Sequence, residues 1–282
     1  MDRKITLLDG AVGTSLWALA EANGVKKEPV WKYNIEHPEF VEELTRRYLE
    51  AGSEIILANT FGANGPAVKR SSNYSAHDVV TAGIKAAKKV LDGTGVKLCL
   101  SLGPLTQLLE PYGDLEEEEC AAIYDEMLDA GIGAGAEMVL IQTFMDLEMM
   151  RVATVEAMKY NVPVFCAMTF EKHGKTMFGN SVQDTIDTLV PLGISAIGLN
   201  CSLGPDLALP IIREFAGKTD IPLLFKPNAG KPIMSADGTT SVSYSAEQFA
   251  EDIKPALEYV SYIGGCCGSD PEYIKEIKKL LK

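Results

Sequence analysis

The chain has 282 residues, of which 46% are hydrophobic and 23% are charged, which suits one large globular domain or two small ones. Its net charge of −13 repels phosphate backbones and argues against a nucleic-acid partner. The N-terminal apolar run is too short for a signal peptide, and no apolar stretch reaches the roughly 20 residues that cross a membrane. We therefore expect a cytoplasmic protein with no membrane partner, whose six cysteines are free thiols, metal ligands or catalytic groups rather than disulfides.

Eight short apolar runs predict β-strands separated by helices. The strands are Ile5–Leu8, Glu54–Ala58, Lys97–Leu102, Met138–Gln142, Val162–Met168, Ala196–Leu199, Pro222–Phe225 and Val260–Gly264. Amphipathic stretches predict helices at Pro38–Ala51, His77–Leu91, Leu115–Gly133, Asp146–Tyr160, Ser181–Leu192 and Glu247–Tyr259. Runs that are apolar almost throughout suit parallel strands covered by helices. The alternation predicts an α/β fold, a (β/α)8 TIM barrel, with residues 1–282 as a single domain.

Polar and glycine-rich segments follow most of the predicted strands. They are Asp9–Thr14, Asn59–Asn64, Ser101–Pro104, Gln142–Asp146, Asn200–Ser202, Lys226–Gly230 and Gly264–Gly268. Long connections, Ser15–His37 and Asn228–Ser245, follow the first and seventh strands. Each segment alone could reflect the needs of a turn. Because barrel active sites lie at the C-terminal ends of the strands, the whole set predicts a shared pocket.

The cysteines indicate the chemistry of that pocket. Cys266 and Cys267 are adjacent and framed by glycines, and Cys201 ends a different predicted strand. A vicinal pair can be two unrelated thiols, but a third strand-end cysteine favours a shared metal ion. The three cysteines lack the Cys-x2–4-Cys spacing that is typical of a closed structural zinc site. Their arrangement favours the catalytic pattern of three ligands and one open position. The other cysteines, which fall within strands or a helix, are predicted core residues: Cys99, Cys120 and Cys166.

These motifs resemble the homocysteine S-methyltransferase family, and most closely the homocysteine-binding module of cobalamin-dependent methionine synthase. The resemblance implies one zinc ion per chain, held by the catalytic residues Cys201, Cys266 and Cys267, with a substrate thiol at the fourth position. It also implies that Asp9 and Gly10 hold the amino-acid end of homocysteine. Asn228 would offer its carbonyl oxygen to the metal when substrate is absent. By their place in the motifs, the expected substrate-binding residues are Asp9, Gly10, Thr14, Asn59, Gln142, Asn200 and Asn228.

One position departs from the family pattern. Relatives usually carry a glutamate where this chain has Gln142. The resemblance implies that this glutamate binds the homocysteine amino group in those relatives. The chain ends shortly after the cysteine pair, so we expect the methyl donor to be a free small molecule or methylcobalamin on a separate corrinoid protein. One alternative is the same fold and zinc site acting on another thiol or donor in a corrinoid-linked demethylation system. A remote alternative is a non-catalytic zinc-binding barrel.

Overall fold

The predicted strands form a parallel barrel in the computed structural model, which describes residues 4–230, 232–234, 240–242 and 244–281. The strands are β1 (Thr6–Leu7), β2 (Ile55–Leu57), β3 (Lys97–Leu102), β4 (Met138–Phe144), β5 (Val164–Met168), β6 (Ala196–Asn200), β7 (Leu223–Lys226), β8 (Pro232–Met234), β9 (Thr240–Val242) and β10 (Tyr262–Ile263). Strands β8 and β9 pair with each other as an antiparallel hairpin, within the predicted connection Asn228–Ser245. The rest of that connection lies partly outside the described residues.

The remaining eight strands are hydrogen-bonded in the order β1-β10-β7-β6-β5-β4-β3-β2, and every neighbouring pair is parallel. A parallel bridge between Leu8 and Ile55 joins the two ends of this order. The predicted (β/α)8 barrel is therefore confirmed. The order also places β7 between β6 and β10, the two strands after which the three candidate cysteines occur.

Helices surround the barrel. They are α1 (Gly13–Ala22), α2 (Tyr33–Glu36), α3 (Pro38–Ala51), α4 (Gly65–Ser71), α5 (Ala76–Leu91), α6 (Glu117–Gly133), α7 (Leu147–Ala157), α8 (Val182–Leu189), α9 (Pro205–Ala216), α10 (Ala246–Ile253) and α11 (Pro271–Leu280). Helices α8 and α10 end earlier than predicted and continue as 3-10 turns that contain Pro191 and Pro255, because proline lacks the amide hydrogen that an α-helix needs. Across the described ranges, no helix has both the length and the apolar character to cross a membrane.

The connection Ser15–His37 is more ordered than its prediction as a long loop. It contains most of α1, a 3-10 turn at Val30–Lys32, and α2. Helix α1 buries Leu16, Leu19 and Ala20, which are spaced three and four residues apart on one helical face. That spacing is the helical signal that the sequence interpretation missed.

Alternate strand residues face the barrel interior. Among the described residues, its apolar part is formed by the buried side chains of Leu8, Ile55, Leu57, Cys99, Met138, Leu140, Phe165, Ala167, Ala196 and Leu224. A larger cluster packs between the barrel and its helices and includes Cys120 and Cys166, so all three cysteines predicted as core are fully buried. Continuing the alternation two residues beyond Cys99, Leu140 and Leu224 gives a polar layer above the apolar one. Its members are Ser101, Gln142 and Lys226.

Candidate metal and substrate site

The three predicted cysteines converge at the C-terminal end of the barrel. The Sγ atoms of Cys201, Cys266 and Cys267 all lie within 4.8 Å of one another. The Sγ atoms of Cys201 and Cys267 are 3.8 Å apart. Cys201 and Cys266 are half-buried and Cys267 is exposed, so the cluster opens to solvent on one side.

The segment that follows β7 brings the cysteines together. On one side, the amide of Cys201 donates to the carbonyl of Lys226 at 3.1 Å. On the other side, the amide of Cys266 donates to the carbonyl of Pro227 at 2.8 Å, and the amide of Ala229 donates to the carbonyl of Cys267 at 2.9 Å. Residues far apart in the sequence therefore meet because their strands flank one central strand.

The backbone at the cysteines adopts uncommon conformations. Cys201 and Ser202 have φ values of 63° and 60°, in the left-handed region that non-glycine residues rarely adopt. After β10, a Cβ atom at Gly265 would lie 2.1 Å from Ser269 Oγ, so only glycine fits there. Ser269 closes this turn by donating both its amide and its hydroxyl to the carbonyl of Cys266, at 3.0 and 2.6 Å. The strained and tightly packed turns aim the sulfurs at one point.

The three thiols interact electrostatically. Hydrogen bonds from Cys266 and then Cys267 lower the pKa of Cys201 to about 3. The hydrogen bond to Cys201 in turn raises the pKa of Cys267 to about 11, and it raises the pKa of Cys266 well above its usual value. Hydrogen bonds among the three sulfurs therefore favour a thiolate at Cys201 and protonated thiols at Cys266 and Cys267. Such a group of sulfur atoms is suited to a soft or borderline cation.

The spacing of the sulfurs fits a tetrahedral metal. Zinc binds cysteine sulfur at about 2.3 Å, which sets tetrahedral sulfur ligands about 3.8 Å apart. The distance between Cys201 and Cys267 has this value. Asn228 hydrogen-bonds Cys201 and is buried, yet its Oδ1 has no hydrogen-bond partner among the residues that the structure describes. An unpaired buried acceptor is costly, so this oxygen suits a cation or a hydrogen-bond donor of a ligand.

A polar network lies beside the cysteines. The amide nitrogen Nδ2 of Asn200 is 3.7 Å from Cys266 Sγ, 2.7 Å from Thr143 Oγ1 and 3.5 Å from Gln142 Oε1. The Oδ1 atom of Asn200 accepts the backbone amide of Thr143 at 2.8 Å. Thr143 has a φ of 67°, which is an outlier for a β-branched residue. Gln142 continues the network by donating through Nε2 to Ser101 Oγ at 2.9 Å.

Asp9 forms a buried ion pair with Lys226. Its Oδ1 accepts a hydrogen bond from Lys226 Nζ at 2.7 Å, and its Oδ2 accepts one from the amide of Leu57 at 2.7 Å. The side chains of Asp9 and Lys226 are 0% and 2% exposed. Burial raises the pKa of Asp9, and the charge and hydrogen bond of Lys226 oppose that rise. Both carboxylate oxygens are thus engaged within the protein.

The other predicted substrate-binding residues occupy different surroundings. Gly10 is buried, and a Cβ atom there would lie 2.2 Å from the carbonyl oxygen of Ser269. Asn59 donates from Nδ2 to the carbonyl of Val30 and to Asn34 Oδ1, and so anchors the connection after β1. Thr14 is exposed near the start of α1. Among the hydrogen bonds of the described residues, none joins Asn59 or Thr14 to a cysteine.

Sequence reasoning overlooked the residues that support the site. Lys226 is a charged residue at an inward strand position, which signals a buried partner of opposite charge. Ser101 and Ser269 carried no such signal, because serine is common at strand ends and turns. Only their contacts with Gln142 and Cys266 show what they do.

The fold and the site together define a (β/α)8 barrel with a three-cysteine cluster that could hold a metal ion. A model of the homocysteine S-methyltransferase family matches residues 6–281. The chain belongs to this family of methyltransferase enzymes.

Two curated relatives match nearly all of the chain. The chain is 29% identical over 303 residues to methionine synthase of Mycobacterium tuberculosis, and 28% identical over 298 residues to methionine synthase of Mycobacterium leprae. Each alignment covers 98% of this chain and 24% of the relative. The chain therefore spans about a quarter of the length of the curated relatives that it matches.

The barrel also resembles solved structures of the homocysteine methyltransferase MmuM from Escherichia coli. The oxidized form has a TM-score of 0.81 and the metallated form a TM-score of 0.79, each at 21% identity. Both comparisons cover 99% of this chain and 96% of the other. At this identity the likeness concerns the fold.

Proposed function

We propose that this chain transfers a methyl group to the sulfur of a small thiol on a zinc ion held by Cys201, Cys266 and Cys267. Family membership favours homocysteine as the acceptor. The convergence of the three sulfurs within 4.8 Å is the observation that carries the proposal. When bound, zinc supplies an open fourth position at which a thiol loses its proton and remains a nucleophile.

The protein's own groups orient the site. The amide of Asn200 lies against Cys266, where it would offer an N–H to the sulfur and limit its rotation. Such outer contacts fix the orientation of metal ligands. The unpaired Oδ1 of Asn228 provides an oxygen on the same side as Cys201. The Asn228 oxygen would face the metal when no substrate is bound, and would face the substrate when one is bound.

The methyl donor belongs to the proposal as well. Resemblance to methionine synthases supports a separate methyl-corrinoid protein, and a free methyl donor is the other candidate. The neutral side chain of Gln142 favours a second candidate function, in which the same site serves another thiol or donor in a corrinoid-linked demethylation system. A methyl-transfer assay with homocysteine against methylcobalamin, S-methylmethionine and betaine separates these donors.

Metal analysis tests the core of the proposal. The purified wild-type protein should contain one zinc ion per chain, and Cys201→Ala and Cys266→Ala should lose it. The matched control is Cys166→Ala, which removes a fully buried thiol on β5 and should keep the metal. A folded wild-type protein that binds no zinc would overturn the proposal.

A further inference from the structure

The described side chains that hydrogen-bond one another beside Cys266, namely Gln142, Thr143 and Asn200, are uncharged. We propose that this site binds small thiols without recognising an ammonium group on their tails. Its substrate class is then small thiols in general rather than α-amino thiols alone. The inference rests on the proposed function, which supplies the thiol and the metal, and it concerns the residues that meet the rest of the substrate.

Gln142 lies next to the thiol site, where it would contact the rest of a bound substrate. The orientation of the Asn200 amide is set by the backbone N–H of Thr143, which requires an oxygen at Oδ1. The opposite atom, Nδ2, must then be the donor that lies 3.5 Å from Gln142 Oε1 and 3.7 Å from Cys266 Sγ. One amide thus touches both the cysteine cluster and Gln142, which puts Gln142 within reach of the tail of a short thiol.

The described side chains that contact Gln142 offer hydrogen bonds and carry no charge. Its Nε2 donates to Ser101 Oγ, whereas its Oε1 accepts, among the described residues, only the long contact from Asn200 and so remains available. In the described part of the chain, every side-chain hydrogen-bond partner of Gln142 and Asn200 is an amide, a hydroxyl or a thiol. A ligand there meets neutral acceptors.

Asp9 does not supply the missing charge. Lys226 neutralises it at 2.7 Å, and its second oxygen accepts the amide of Leu57. A substrate ammonium at Asp9 would have to displace Lys226 from a position that is 2% exposed. Within the described residues, the ammonium would therefore leave water without gaining Asp9 as a carboxylate partner. Because neutral acceptors replace its hydration only in part, the ammonium would not strengthen binding.

The inference is tested by titrating two thiols into zinc-loaded protein in a calorimeter. The probes are L-homocysteine and 4-mercaptobutyrate, which is homocysteine without its amino group. The two dissociation constants should agree within about threefold. A preference for homocysteine of about tenfold or more would overturn the inference while leaving the proposed function intact. Binding of neither thiol would overturn both.

A variant that places a carboxylate at position 142 provides a second test of the inference. Gln142→Glu should shift the ratio of the two dissociation constants about tenfold toward homocysteine, because a carboxylate gives the ammonium a charge-assisted hydrogen bond. Gln183→Glu makes the same change on an exposed face of α8 and should leave the ratio unaltered. An unchanged ratio in a zinc-loaded Gln142→Glu protein would contradict the inference. If that variant does not fold, the wild-type ratio decides alone.

Discussion

Asp9 Oδ1 and Lys226 Nζ lie 2.7 Å apart inside the barrel, where neither side chain has meaningful contact with solvent. The pair connects the end of β1 with the end of β7, on opposite sides of β10 in the sheet. It therefore supports the strands that flank the cysteine pair. Asp9 therefore has a structural partner in the fold, and its contact with a substrate stays a prediction.

The first prediction concerns this pair. Lys226→Met should lower the free energy of unfolding by about 3–5 kcal/mol, because it leaves the Asp9 carboxylate buried without its partner. The double variant Asp9→Asn/Lys226→Met removes both charges and keeps an oxygen for the amide of Leu57, so it should be less destabilised than Lys226→Met. Urea unfolding measures both. A double variant that is at least as destabilised as Lys226→Met would contradict this coupling.

The second prediction concerns Asn200. Asn200→Ala should cost about 1–3 kcal/mol, because the partly buried backbone N–H of Thr143 loses its acceptor. The loss of the contact with Cys266 should also weaken zinc binding, measured by competition with a chelator. Asn161→Ala, at an exposed loop position, is the control and should change stability by less than about 0.5 kcal/mol. Unchanged zinc affinity in Asn200→Ala would argue against a role for this amide at the metal.

The third prediction concerns the turn that carries the cysteine pair. Gly265→Ala should destabilise the protein and reduce its zinc content, because the new Cβ atom would overlap Ser269 Oγ at 2.1 Å. Gly133→Ala places the same methyl group at the end of α6, with no atom within 4 Å, and should be neutral or stabilising. Thermal unfolding and metal analysis compare the two variants. Equal stability and equal zinc content would contradict the close approach at Gly265.

The fourth prediction concerns protons released by zinc. The lowered pKa of Cys201 leaves it already ionised at neutral pH, whereas the raised pKa values of Cys266 and Cys267 keep those thiols protonated. Zinc binding should release about two protons near pH 7, and the zinc affinity should rise about a hundredfold for each unit of increasing pH. Calorimetry in buffers of different ionisation enthalpy counts the protons. Release of three protons, or of none, would contradict these pKa shifts.

The periodicity of the chain predicted much of the architecture. Strand β3 and helix α3 match their predicted bounds, because apolar runs and amphipathic helices are local signals. Other ends were less accurate. Prolines converted the ends of two predicted helices to 3-10 turns, and most of α1 lies in a segment interpreted as a connection.

The sequence by itself determined which residues could do chemistry here. Three cysteines at strand ends and a glutamine at position 142 can be seen without coordinates, since residue types and the succession of strands along the chain are read from the sequence. Only the tertiary structure decided how those residues are used. It joined Cys201 to the cysteine pair across β7, and it paired Asp9 with Lys226. Such partnerships depend on which strands are neighbours and which side chains share a buried space, and neither property is local in the sequence.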